Sequence, residues 1–453
     1  MGRRTERLHN RKQGPLSPLA NVCLFGFMLL YFATYTIVGK NWGNWLQRGE
    51  YVLGAVLVLI TIIHFFVQGR TARRDWILTR LLLIVYFACR AFAAYKNGFG
   101  MSTVRAAYFE GILLLAVSEL TVNEWFLKKI CFPVLIVLNF LINALNMAFH
   151  FLVKEDGSGW KPLQDLYALL KPYCYSGAYM LYDNPNFMGM ITAACMLLAV
   201  GLFCGAARKR LGWKILLGIY LAASGACVLF TASRASLIGL AAAALVGFLQ
   251  SKISRHAPAE KRRRVAGVTF LVLMLLVAVG TYAFIYVHRD TSIDFQGNNH
   301  FTALEQKIDD LSTHRYSIWK TSYYAQMRGG YLLTGAGSLL DEKKAREQVT
   351  DELLVEYGGE PQFFEKPIFH HPHNGYIAMV ACTGLIAALC FFGNLLIRTL
   401  KCRAFADGPW NLLLVYWLAL NLFECVTVLN KQIVVLVVFA ILAATPARRG
   451  REE

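Results

Sequence analysis

His370-His371-Pro372-His373-Asn374-Gly375-Tyr376 closes the one long polar stretch, residues 287–376, of an otherwise apolar chain. A hydrophobic run ends at Val287 and the next begins after His373. Six of the ten histidines fall between them: His288, His300, His314, His370, His371 and His373. The stretch carries 13 Asp/Glu against 9 Lys/Arg, a net of −4, while the whole chain is +18. An acidic module is thus set into a basic, apolar protein. The apolar runs on either side are read as holding it at a membrane surface.

Working outward, the 453 residues are 56% hydrophobic, with a mean hydropathy of +0.44. A soluble domain averages about 45–50% apolar. Here runs of about 20 apolar residues recur along the length, which is the signature of membrane-spanning helices. The fold class is therefore an all-α polytopic membrane protein. The +18 charge does not argue for nucleic acid, because the basic residues sit in short clusters between spans, as in cytoplasmic loops facing anionic lipid. Eleven cysteines are scattered with no CxxC pair, so no external disulfide framework is implied. The first apolar run, from Leu19, has no small-residue cleavage site and reads as a retained span.

About 12 transmembrane helices fit: residues 19–39, 51–68, 77–95, 107–126, 131–152, 187–205, 215–233, 235–250, 266–287, 374–397, 410–428 and 431–446. Arg3, Arg4, Arg7, Arg11 and Lys12 place the N-terminus on the cytoplasmic side. Every second connection is also basic, from Arg70/Arg73/Arg74 to the tail Arg448/Arg449/Arg451, which returns the C-terminus to the same side. Three parts follow: a bundle of about nine spans at 1–286, an extracytoplasmic loop module at 287–373, and about three further spans with a basic tail at 374–453. The loop is too long to be structureless. Apolar residues at helical spacing predict helices from Thr302 to about Gln326 and from Glu342 to Glu356, broken at Gly329-Gly330 and Gly335-Ala336-Gly337.

Arg234 is the sharpest single signal. It stands between two spans with almost no loop, at the start of a helix whose free N–H groups and guanidinium together suit a phosphate. The plainer reading is a side chain that reaches to lipid head groups. Arg315 lies on a loop helix and either pairs with an acid such as Asp310 or is solvated. His373 opens a span and serves either as general base to a hydroxyl or as a helix-start residue. No metal site is expected at His370-His371-Pro372-His373, because Pro372 splays the chain and no cysteine or carboxylate set follows. Within spans, Arg80, Arg90, Glu110, Glu119 and Glu424 either line a polar pocket or form ion pairs that lock helices. Tyr173, Tyr175, Tyr179 and Tyr182 form an aromatic patch leading into Asp183-Asn184-Pro185-Asn186. No Walker A, dinucleotide glycine fingerprint or HExxH occurs.

Four stretches together resemble the O-antigen ligase and polymerase superfamily of bacterial envelope proteins. They are Asn184-Pro185-Asn186-Phe187-Met188-Gly189, Thr231-Ala232-Ser233-Arg234-Ala235-Ser236-Leu237-Ile238-Gly239, Arg315-Tyr316-Ser317-Ile318-Trp319 followed by Gly335-Ala336-Gly337, and His371-Pro372-His373-Asn374-Gly375-Tyr376. The resemblance covers residues 184–395 best. It implies an inverting transfer of a polyprenyl-diphosphate-linked glycan, typically undecaprenyl, onto a sugar hydroxyl at the outer face of the cytoplasmic membrane, with the aromatic segment 173–182 either stacking on sugars or sitting at the interface. The transfer is metal-independent if two arginines neutralise the leaving group. By motif match, Arg234 and Arg315 would hold the diphosphate and His373 would deprotonate or position the acceptor. Arg90, Asn186, Asn374 and Glu424 are pocket candidates. Donor lipid, glycan acceptor and membrane lipids are the expected partners, with no nucleic acid and no cofactor. Arg289, Arg328, His314 and His371 offer alternative positions for the same roles. The competing class is a secondary transporter or flippase of lipid-linked precursors. Against it stand the long loop and the lack of any visible repeat between the two halves.

Overall fold

The computed structural model describes residues 17–68, 77–98, 100–117, 122–153, 159–175, 181–252, 259–289, 302–312, 315–357, 371–401, 410–427, 429 and 432–445. The basic residues 3–12, 70–74 and 448–451, together with Glu119, Tyr179, His300, His314 and His370, lie outside them.

The described residues are mostly helical. In order, α1 is Ser17–Thr34, α2 Ile37–Gln68, α3 Ile77–Lys96, α4 Met101–Gly111, α5 Phe132–Leu152, α6 Lys161–Leu170, α7 Pro185–Lys209, α8 Leu211–Phe230, α9 Arg234–Lys252 and α10 Ala259–Val287. The loop module holds α11 Ala303–Leu311, α12 Arg315–Arg328 and α13 Leu339–Tyr357. Then come α14 Gly375–Thr383, α15 Leu385–Lys401, α16 Trp410–Leu420 and α17 Ile433–Ala443. Wide π-type turns at Ile112–Val117 and Leu127–Cys131 flank the approach to α5. A two-residue parallel pairing, Val122 with Ala444 and Asn123 with Thr445, ties that region to the end of α17.

Among the described residues, six stretches are long and apolar enough to cross a bilayer: Ile37–Ile63, Ile77–Lys96, Glu124–Leu152, Pro185–Phe203, Leu211–Phe230 and Val265–Val287. Their outward faces show Leu216, Ile219, Leu229, Leu276 and Val279 exposed, a surface suited to lipid rather than water. Five further apolar helices among the described residues are shorter. Among these, α16 and α17 are buried on every side, so they need not match the bilayer thickness. α9, α10 and α7 pack round α16, while α1 and α7 also cover α17.

Three expectations about span limits change. The connection expected at 40–50 is helical, because α2 already starts at Ile37 and bends at Trp42. The span expected at 374–397 is two helices broken at Gly384, whose φ is 83°. The break is stable because loop N–H groups meet the freed carbonyls: Ala336 N donates to Ala381 O at 2.8 Å and Gly337 N to Cys382 O at 2.9 Å. The span expected at 410–428 ends at Leu420. Beyond it the irregular backbone is satisfied within the protein, with Val426 N donating to Asn421 Oδ1 at 3.1 Å and Gly375 N to Asn421 O at 2.7 Å.

The loop helices are fixed by buried polar contacts. Thr302 and Glu305 form a capping box at α11, and Glu305 also meets Lys320 at 3.0 Å and Tyr316 Oη at 2.8 Å. The predicted single helix from Thr302 to Gln326 is instead the pair α11 and α12, and the expected breaks after Arg328 are present. Gly335 and Gly337 have φ of 78° and 117°, and a Cβ on Gly335 would lie 2.3 Å from Cys382 O. Only glycine permits this close approach. Asp341 then accepts from Ser102 Oγ at 2.8 Å and Thr103 Oγ1 at 2.7 Å, fastening α13 to the start of α4.

Candidate active site

Glu424 lies in the irregular stretch after α16, with 6% of its side chain exposed. Its Oε2 is 3.0 Å from His373 Nδ1. Its Oε1 accepts from Arg315 Nη2 at 3.0 Å and from Asn186 Nδ2 at 3.1 Å. Arg315 also donates through Nη1 to Phe423 O. One carboxylate thereby gathers the first turns of α7 and α12 and His373, the residue before the cap of α14.

The histidine turn is held from several sides. Asn374 caps α14, its Oδ1 accepting from Tyr376 N at 3.0 Å and Ile377 N at 3.1 Å. Trp319 Nε1, on α12, donates to Pro372 O at 2.9 Å. His373 N donates to His371 Nδ1 at 3.3 Å, and the two rings lie 4.3 Å apart. Burial, aided by neighbouring His373, pushes the His371 imidazole down to about 3, so it stays neutral near pH 7. An ionised Glu424 can only accept, so a neutral His373 carries its hydrogen on Nδ1. Nε2 is then the basic face.

Arg234 is the exposed first residue of α9. The turn before it is tied by Thr231 Oγ1 donating to Val228 O at 2.7 Å and by a 2.9 Å contact between Ser233 Oγ and Ser236 Oγ. That turn packs on α7: a Cβ on Gly189 would lie 2.8 Å from Thr231 Oγ1 and 2.9 Å from Ser233 Cβ. Asn186, which reaches Glu424, is on α7 about one helical turn away. Among the described residues, Ala232 (φ 48°) and His373 (φ 51°) are the non-glycine residues with positive φ. Each sits in one of the two motif turns. Backbone strain of this kind is held where a surrounding structure over-determines it, commonly at functional sites.

The structure thus brings together His373, Arg315, Glu424 and Asn186, with the Arg234 turn packed alongside. Asn374 serves as a helix cap. Arg90 does not join them. It is buried, bonded to Glu110 through Nε at 2.7 Å and Nη2 at 2.8 Å. Its Nη1 donates to Gly337 O at 2.6 Å and Cys382 O at 3.0 Å, so this pair locks α3, α4, the loop and α14 together. Tyr182 leaves the aromatic patch: it is fully buried, bonded to Asn143 Oδ1 at 2.9 Å. Tyr173 stays exposed and stacks on Trp42. Sequence reasoning ranked Glu424 only as a pocket residue and gave Trp319 no role. The available signal for Glu424 was a single acid between the two strongly apolar runs at 410–423 and 433–443.

Residues 219–392 match the family model described as O-antigen ligase. This range contains Arg234, Arg315, His371 and His373 and stops before Glu424. Comparison with curated proteins found no match.

Proposed function

From the match that supports placing this chain in the O-antigen ligase and polymerase family, we propose that it is a metal-independent inverting glycosyltransferase. The donor is a glycan on a polyprenyl diphosphate and the acceptor is a sugar hydroxyl. The reaction takes place at the outer face of the bacterial cytoplasmic membrane. Both termini are cytoplasmic, 1–286 and 374–453 form the membrane bundle, and 287–373 covers the site.

The observation that carries this reading is the contact of His373 and Arg315 with one carboxylate, Glu424. In the step proposed, His373 Nε2 takes the proton of the acceptor hydroxyl as its oxygen attacks the anomeric carbon. The bond from that carbon to the diphosphate oxygen breaks on the opposite face, and its electron pair leaves with the diphosphate. Arg234 and Arg315 meet the developing charge, so the leaving group needs no other cation. Glu424 holds Nδ1–H and stabilises the imidazolium that forms, as the carboxylate of a catalytic triad does. Asn186 helps hold Glu424 in place.

The test uses purified protein with a synthetic polyprenyl-diphosphate oligosaccharide and candidate acceptors, with chelator present and no nucleotide. Release of polyprenyl diphosphate coupled to a longer glycan, lost in His373→Ala, is expected. The reducing end of the product separates a polymerase from a ligase.

A transport reading draws on two interrupted helices. The break at Gly384 and the irregular stretch after Leu420 resemble the discontinuous helices of transporters. Movement of the lipid-linked glycan across a reconstituted bilayer, without release, would replace the transferase reading with this one.

A further inference from the structure

The transfer step gives His371 no part, yet its ring lies beside the proposed base. His371, His373 and Glu424 each offer one ligand atom, and these atoms all lie within 4.8 Å of one another. Two imidazoles and a carboxylate form a donor set that suits zinc and similar divalent transition ions, and three protein ligands leave a fourth position for water. Bonds of about 2.0–2.2 Å put tetrahedral ligand atoms about 3.4 Å apart, so small side-chain rotations would close the cluster. The sequence hides this set, because the carboxylate lies 51 residues beyond His373.

We propose that His371, His373 and Glu424 bind one divalent transition ion, and that the bound ion blocks glycosyl transfer. The blocking half rests on the transferase reading above; the binding half does not. An ion entering between His373 Nδ1 and Glu424 Oε2 takes the Nδ1 lone pair, which leaves the ring hydrogen on Nε2. Nε2 then has no lone pair with which to accept the proton of the hydroxyl. The Arg315 guanidinium, 3.0 Å from the other Glu424 oxygen, repels a second cation and keeps binding reversible. The site is therefore inhibitory and transient, rather than the seat of a resident cofactor.

The test uses tag-free, full-length protein in detergent, first stripped with chelator. Zinc binding is measured by competition with a chromophoric chelator, and bound cobalt is followed by its visible absorption. Wild type is compared with His371→Asn, which keeps an acceptor for the His373 N–H and removes a ligand. One equivalent is expected in wild type, with binding at least about tenfold weaker in the variant. Wild-type transfer should fall on adding zinc and return with chelator. The variant's own transfer should respond only at correspondingly higher zinc. Absence of stoichiometric binding, or equal binding by the variant, overturns the site whatever the transfer activity. Bound zinc with undiminished transfer overturns the blocking. A protein that binds zinc but transfers nothing even in chelator would sustain the site and sink the transferase reading.

Discussion

His373 Nδ1 lies 3.0 Å from Glu424 Oε2 across 51 residues of sequence. The same carboxylate takes the Arg315 guanidinium on its other oxygen. Glu424→Gln removes the charge and keeps the shape. Transfer is expected to fall about 100-fold or more, mainly in turnover, because the imidazole loses the partner that sets its tautomer. Steady-state release of polyprenyl diphosphate measures it. An unchanged rate would remove Glu424 from the mechanism.

Arg234 is exposed, so Arg234→Ala should leave the unfolding midpoint in place while lowering transfer by about 10²–10³-fold. Arg315→Ala should lower both, because it also strips a nearly buried carboxylate of its cation. Thermal unfolding in detergent and the transfer assay, run side by side, separate the two effects. Full activity in both Arg234→Ala and His373→Ala would end the site assignment.

The Arg90–Glu110 pair is assigned to stability. Arg90→Met alone leaves Glu110 buried without its cation and should cost about 3–5 kcal/mol. Arg90→Met with Glu110→Leu should recover much of that loss. Equilibrium unfolding of the single and double variants checks it. Equal destabilisation in both would show that the bonds from Arg90 to Gly337 O and Cys382 O matter more than the ion pair.

The Asp341 clasp predicts a pH effect. Burial alone would raise the Asp341 carboxyl, but hydrogen bonds from Ser338, Thr103 and Ser102 outweigh it and hold the group below its ordinary 3.8. A depressed carboxylate contributes stability that is full above the unfolded value and lost as pH falls through the folded one. Protease sensitivity of 302–357 should therefore rise below about pH 4. Asp341→Asn should show part of that sensitivity at neutral pH. Identical protection in wild type and variant at pH 7 would count against the clasp.

Much of the candidate site's local geometry was legible because its motifs are short stretches of adjacent residues. The turn before Arg234 is made by adjacent Thr231, Ala232 and Ser233, and Asn374 caps the helix that His373 introduces. Gly335 and Gly337 announced a special backbone, which the structure shows as positive φ against α14. Span limits were less legible. Hydropathy reads Asn421–Thr427 as more of the same run, because Leu422, Phe423, Cys425 and Val426 are apolar. What ends the helix there is tertiary, a hydrogen bond from Gly375 N to Asn421 O.

The sequence by itself determined that the chain is a bundle of apolar helices with one polar module, and which short motifs lie at the module's edges. A bilayer imposes that pattern residue by residue, so it is written locally. Only the tertiary structure decided that Glu424 joins Asn186, Arg315 and His373, at separations of 238, 109 and 51 residues. It likewise decided that Arg90 turns away to Glu110. Such pairings are fixed by how buried helices pack and by the need to satisfy each buried charge, and no local pattern in the chain encodes either.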